Sequence, residues 1–257
     1  MKINFLGTGC GRPTAQRFNT SMAFEYDERI FMMDCGEPCT ALLKRQGLSP
    51  GMVTDIFISH MHCDHVSGLP MLLREIWKSR VNGEASLSVE DRVNLYVPSC
   101  ANPSIMEAVN IISGSPRNVN SFAKLVNLHS LESNAVIERE GFSVIPYRNT
   151  LPDEIESYAF LIRVDDLRLF YSGDLSKNFE TIEAYLNDLD LLILESSHVK
   201  LKTSAIELQG KDIRKIVLTH LRWLYHGEEE KVLANVREYF SQDDVSIAHD
   251  GLVIELD

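Results

Sequence analysis

This chain has little that could hold a scaffold together covalently. Its five cysteines, Cys10, Cys35, Cys39, Cys63 and Cys100, are odd in number and contain no CxxC pair, so neither a disulfide framework nor a cysteine-held structural zinc is indicated. They read as reduced thiols, mostly buried. Long apolar runs are missing too: none approaches the roughly 20 residues that cross a bilayer. The opening MKINFLGTG lacks the apolar core and small-residue cleavage site of a secretory leader. The expectation is a soluble, cytoplasmic protein with no membrane partner.

Positive charge is scarce, with 25 Lys and Arg against 37 Asp and Glu, a formal charge of −12. A long nucleic acid normally needs a basic face that neutralises several phosphates, so the chain as a whole does not fit such a ligand. One segment runs the other way. Between His198 and Arg222, Lys200, Lys202, Lys211, Arg214, Lys215 and Arg222 outnumber Glu207 and Asp212. That segment reads as a solvated helix surface, with a phosphate-attracting rim as the alternative. Low-complexity stretches and long linkers are absent. With 257 residues and 44% hydrophobic content, the chain can bury a large core, and it is expected to form a single domain over 1–257.

What is present is an alternation of short β-type and helix-type runs, which predicts an α/β fold. Strands are expected around KINFLG, SMAFEY and RIFMMD, a helix over PCTALLKRQ, and a strand DIFISH that ends at His60. The helix LPMLLREIWKS, the strand NLYVP and the helix PSIMEAVNIIS follow. NAVIEREGFSVIPY and SYAFLIRVDDLRLFYSGD read as antiparallel hairpins, the second turning at Asp165 and Asp166. The second half then repeats the opening plan: DLLILESSH and KIVLTH end in His198 and His220, and VSIAHD and LVIEL form a last pair. Both halves place histidines just beyond strand ends, where side chains from different strands can converge.

The densest chemistry lies in SHMHCDH, residues 59–65. His60 and His62 sit two apart and Asp64 and His65 follow at once. A turn after a strand could point the first two toward one ion and the last two toward a second, since imidazole and carboxylate suit zinc and similar first-row metals.

HMHCDHVSGL resembles the HxHxDH motif of the metallo-β-lactamase superfamily, and the likeness extends through FLGTGCGRPTAQRFNTS, FMMDCGE and IFISHMHCDHVSGLPMLL. These stretches are similar to ribonuclease Z and its phosphodiesterase relatives. Beyond Leu73 the likeness thins to the islands YSGD, LILESSH, IVLTH and HDGLVIEL, in the family's order. The resemblance implies a four-layer αββα sandwich with a two-metal site. His60 and His62 would bind the first ion, Asp64 and His65 the second. Asp174 in YSGD would bridge both, and His220 in VLTH would complete the second. Asp34 in MMDCGE matches an aspartate that supports the histidine loop from behind, as ligating imidazoles usually require.

The sequence departs from that pattern at one place. The family supplies a third histidine to the first ion from a strand end midway along the chain, and the corresponding stretch, IPYRNTLPD, holds Asn149. An amide oxygen is a poorer zinc ligand than imidazole. The first site is therefore expected to be weak, empty or suited to a harder ion, with zinc the leading metal and manganese or iron the alternatives. His129 in NLHSL sits on a different expected strand and is not a replacement. Taken alone, Asp174 could equally cap a helix over LSKNFETIEAYL.

Such a site implies hydrolysis of a phosphodiester. Asp64 would orient the water or share its proton, and His198 in ESSH resembles a histidine that contacts phosphate or protonates the leaving oxygen. A surface position at a helix start is the alternative for His198, and His226 and His249 are weaker candidates. The long Gly/Lys-rich insertion by which ribonuclease Z grips transfer RNA is missing. That absence and the charge favour a small or cyclic phosphodiester substrate over RNA. An RNA-processing endonuclease and a catalytically weakened metal sensor are the alternatives, and the resemblance leaves a homodimer open.

Overall fold

The opening run KINFLG forms β1 (Lys2–Gly7), whose side chains are buried from Ile3 onward. A strand covered on both faces carries apolar side chains on both rather than in alternation, and the one buried polar side chain here, Asn4, donates to Glu25 Oε1 at 2.7 Å. This structure, a computed structural model, describes residues 1–102, 104–112, 124–151, 155–176, 179–234, 236–239 and 244–256. By backbone contact the chain forms two compact units. The first comprises Met1–Gly7, Phe18–Leu131 and Asp250–Asp257, and the second Thr8–Arg17 and Glu132–His249.

The first unit carries a seven-stranded sheet. Its antiparallel part is β14 (Leu252–Glu255), β1, β2 (Ser21–Tyr26) and β3 (Arg29–Cys35). Parallel strands β4 (Val53–Phe57), β5 (Val93–Val97) and β6 (Val126–Ser130) extend it from β3. Parallel neighbours need crossovers, and these hold helices α1 (Cys39–Arg45), α2 (Cys63–Val66), α3 (Leu69–Val81) and α4 (Ser104–Ile112). In α3, Leu69, Leu72, Leu73 and Ile76 make one buried stripe at helical spacing. Each such side chain stabilises by about 1.5–3 kcal/mol on burial. Pro70 starts this helix, where its missing N–H costs nothing. Of the helix expected over PSIMEAVNIIS, Pro103 and Ser113 lie outside the described residues.

The second unit repeats the plan with its own seven strands. β7 (Ile137–Arg139), β8 (Phe142–Thr150), β9 (Glu156–Val164) and β10 (Leu167–Tyr171) run antiparallel. β11 (Leu191–Glu195), β12 (Ile216–Thr219) and β13 (Val245–Ile247) continue in parallel from β10. The turn between β9 and β10 falls at Asp165 and Asp166, as expected, with Asp165 at φ 52°. Its core is a cluster around Leu161, Phe170, Leu175, Leu192, Leu194 and Leu218.

One expectation is corrected. The last two strands do not pair with each other: β13 joins β12 in parallel, whereas β14 joins β1 antiparallel. A single sequence shows that both are strands but not which edge each fills. Of the alternative helix over 175–186, Lys177 and Asn178 lie outside the described residues, and the described ones hold a 3-10 turn at Glu183–Tyr185. Of the five cysteines, Cys10, Cys35 and Cys39 are buried, while Cys63 and Cys100 are exposed. No helix among the described residues is long and apolar enough to cross a membrane.

Candidate metal centre

In the first unit the site begins where β4 ends. Ile58 still donates to the Tyr96 carbonyl of β5 at 2.9 Å, and the chain then leaves the sheet through Ser59 and His60, both buried. Asp34, fully buried at the end of β3, supports it from behind. One carboxylate oxygen accepts the Ser59 backbone N–H at 2.7 Å, and the other accepts the Ser59 hydroxyl at 2.9 Å and lies 2.8 Å from His65 Nδ1. A carboxylate can only accept, so His65 carries its proton on Nδ1 and keeps the Nε2 lone pair for another partner.

The hydroxyl proton of Ser59 goes to Asp34, so Ser59 Oγ is left to accept from His60 Nδ1 at 3.1 Å. That bond sets the lone pair of His60 on Nε2 in the same way. His60 Nε2 lies 2.9 Å from His62 Nδ1, and two imidazole nitrogens at that separation need a shared proton or a cation between them. Asp64 Oδ2 stands 3.5 Å from His65 Nε2. The donor set, three imidazoles and a carboxylate with two tautomers fixed, suits a borderline divalent metal. Backbone conformation is committed to this arrangement. Asp34 sits at φ 57°, which few residues other than glycine adopt, and a Cβ on Gly36 would come within 2.2 Å of the Asp64 carbonyl oxygen.

In the second unit the candidate residues come from three strand ends. Asp174 follows β10 in a turn with Gly173 at φ 55°, His198 lies just past β11, and His220 follows β12 at φ 52°. His220 Nε2 is 3.4 Å from Asp174 Oδ1, and His198 Nδ1 is 3.7 Å from Asp174 Oδ2. One ligand-type atom from each of the three lies within 4.8 Å of the others, so this group too could hold a metal.

Glu195, which the sequence reading did not single out, organises this group. It is fully buried at the end of β11. Its Oε2 accepts the backbone N–H of Ser197 at 2.7 Å and of His198 at 3.0 Å, and lies 3.5 Å from His198 Nδ1 and 3.8 Å from His220 Nδ1. Burial pushes the Glu195 carboxyl up, but the His198 and His220 imidazoles beside it outweigh that and hold it below the usual carboxylate range. The Glu195 carboxylate beside it raises the His198 pKa against the opposing effect of burial. The available signal was a lone acidic residue ending the apolar strand LLILE.

Asn149, near the end of β8, is buried and hydrogen-bonded at both ends of its amide. Nδ2 donates to the carbonyls of Ser172 at 3.0 Å and Asp174 at 2.8 Å, and Oδ1 accepts from Thr181 at 3.0 Å. The remaining histidines serve packing or lie at the surface. His129 stacks on Tyr96 at 4.7 Å and contacts Asn94 at 3.2 Å, with burial lowering its pKa. His226 bridges Thr14 at 2.7 Å and the Leu221 carbonyl at 2.8 Å, and His249 is exposed.

A model of the family described as Anti-Pycsar protein Apyc1 matches residues 1–226. The chain belongs to that family. It is also similar to the ribonuclease Z of Methanococcus aeolicus, 31% identical over 164 residues; the match covers 63% of this chain and 47% of that relative. This Apyc1-family chain thus aligns with about half the length of that curated relative. Among solved structures it resembles the metallo-beta-lactamase fold protein YhfI from Bacillus subtilis, with TM-score 0.81, 17% identity and 98% of each chain covered. It also resembles a diphosphatase of the PhnP family, with TM-score 0.73, 20% identity, 100% of this chain and 98% of the other. These likenesses show the metallo-β-lactamase fold expected from HMHCDH, and the ribonuclease Z match bears out the branch.

Proposed function

We propose that this protein is a metal-dependent phosphodiesterase acting on a small or cyclic phosphodiester. In the first unit His60, His62, Asp64 and His65 would be the metal-holding residues, and in the second unit Asp174 and His220 would be. The observation that carries the reading is the bond of Asp34 to His65 and Ser59, at 2.7–2.9 Å, which leaves imidazole lone pairs set for a cation. Zinc fits these donors best, with manganese or iron as alternatives. A divalent ion held by these residues would supply Lewis-acid activation of water near neutral pH and charge stabilisation at the phosphoryl group.

The chain's own residues do the rest. Asp64, 7% exposed, orients the attacking water and takes its proton. His198, with 44% of its side chain open to solvent and Glu195 behind it, gives a proton to the leaving oxygen. The formal charge of −12 disfavours a polyanion and supports a small substrate. Similarity to ribonuclease Z supports a second reading, cleavage of RNA. Lys200 and Lys202 are exposed where RNA could use them, although Lys202 lies 3.8 Å from Glu238.

The test is hydrolysis of bis(p-nitrophenyl) phosphate with added zinc or manganese. Wild-type protein should turn the substrate over, and Asp64→Ala should lose at least about 100-fold, the scale of a general acid–base group. Activity retained in Asp64→Ala would sink the site assignment. RNA binding that weakens steeply with salt and depends on Lys200 and Lys202 would favour the nuclease. Tight metal binding without turnover of either substrate would leave a sensor.

A further inference from the structure

The amide of Asn149 does work that a metal ligand could not do. Its nitrogen faces two carbonyl oxygens, those of Ser172 and Asp174, at 3.0 and 2.8 Å, while its oxygen faces the Thr181 hydroxyl at 3.0 Å. Carbonyls only accept, so this orientation is dictated by the partners and cannot be reversed without setting oxygen against oxygen. Each of the two hydrogens on Nδ2 is matched to one carbonyl of the turn. A histidine ring nitrogen offers a single hydrogen and could satisfy only one of them.

The turn that Asn149 grips is Ser172–Gly173–Asp174, and it is held from the other side as well. Ser172 N–H donates to the Ile193 carbonyl of β11 at 3.0 Å, and Ser172 Oγ accepts from Glu195 N–H at 3.0 Å and donates to the Gly173 carbonyl at 2.7 Å. Leu175 N–H reaches Glu195 Oε1 at 3.4 Å. The turn is therefore fixed between β8, through one side chain, and β11. Buried carbonyls must find donors, and for those of Ser172 and Asp174 Asn149 provides both.

We propose that Asn149 is a positioning residue: it clamps the Asp174 turn and thereby aims the Asp174 carboxylate, and it does not itself bind metal. This inference rests on the proposed metal-holding role of Asp174. It replaces the expectation that an asparagine at this position serves as a weak ligand.

Asn149→Asp separates the two roles because they predict opposite signs. The variant is nearly isosteric and keeps an oxygen for Thr181, but it loses both N–H groups and sets a carboxylate against two carbonyls. A ligand at 149 would become a stronger one, and zinc would bind as tightly or more so. A clamp would be broken. Zinc titration against a competing chelating indicator should then show affinity reduced roughly 10-fold or more, the range for partners that orient ligands. Amide hydrogen exchange of chelated, metal-free protein gives a readout independent of metal and activity. The amides of Asp174 and Leu175 should exchange faster in the variant, with the β9 and β10 amides unchanged. Thr181→Val leaves both carbonyl bonds intact and should shift zinc affinity and exchange the same way but less. It keeps the test usable where Asn149→Asp folds poorly. Undiminished zinc affinity in Asn149→Asp, or unchanged exchange in the turn, overturns the proposal. Absence of phosphodiester turnover by wild-type protein would sink the proposed activity and leave the zinc and exchange results to decide the clamp.

Discussion

The two units support their histidines with the same device built in different ways. In the first, Asp34 stands behind His65 and Ser59, and the candidate ligands all come from the contiguous loop His60–His65. In the second, Glu195 stands behind His198 and His220, but Asp174, His198 and His220 come from the ends of three strands. Both use a buried carboxylate to fix imidazole orientation, the arrangement that gives a metal ligand its direction and basicity. The loop needs one support at a single point. The strand-end group needs several, because each of its members arrives on a separate piece of backbone. Glu195 and Asn149 grip the Asp174 turn from two sides. The Arg17 guanidinium, 3% exposed, bonds to Thr8 Oγ1, the Ala248 carbonyl and Glu229, while the Thr8 carbonyl accepts the N–H of Leu221, next to His220.

Removing each support measures how unequal the two designs are. The largest effect is expected for Asp34→Ala, which strips the partners from Ser59 and His65 and puts alanine at φ 57°. Urea unfolding of chelated protein should show a loss of about 3 kcal/mol or more; a loss under about 1 kcal/mol would mean the loop does not depend on its carboxylate. Glu195→Gln keeps an oxygen for the Ser197 and His198 amides and should cost less, about 1–2 kcal/mol, because Asn149 still holds the Asp174 turn. Equal losses at the two positions would erase the proposed difference.

Glu229→Gln tests the more remote support. Burial raises the Glu229 carboxyl, but Arg17 and the Gly227 amide outweigh it and hold the carboxyl below its usual range. A depressed carboxyl contributes its stability above its unfolded pKa, and that contribution fades as pH falls through the folded value. The variant should therefore be about 1 kcal/mol less stable than wild type at neutral pH, and the two unfolding curves should converge in acid. A gap of constant size across that range would contradict the ion-pair account.

The smallest effect is expected far from either group. Lys44 and Glu75 join α1 to α3 at 2.6 Å with Lys44 half exposed. Glu75→Gln should cost no more than about 1 kcal/mol, read by a double-mutant cycle with Lys44→Met. A coupling larger than the Glu195→Gln loss would show that surface pairing, not carboxylate support, dominates these units.

Much of this was legible in the chain. HMHCDH announced a candidate metal loop because its donors are neighbours in sequence, and MMDCGE marked Asp34 through the family pattern. Turn chemistry at Asp165 and Asp166 marked a hairpin. Other parts were not legible. Glu195 read as the last residue of an apolar strand, and its role appears only when β11 and β12 pair in register, with Glu195 opposite Thr219. Asn149 read as a substituted ligand, because a sequence shows the residue type but not which way its amide faces.

The sequence by itself determined what was local: strand and helix types, the hairpin turn, the histidine loop and the chemistry its donors favour. Tertiary structure alone decided which strands pair and which carboxylate stands behind which imidazole. It also decided that the amide of Asn149 holds the turn of Asp174, 25 residues further along the chain. Local geometry is set by neighbouring residues and by hydrophobic period. Hydrogen bonds across that span depend on the register of β8 with β9 and of β10 with β11, which is fixed only when whole sheets pack their apolar faces.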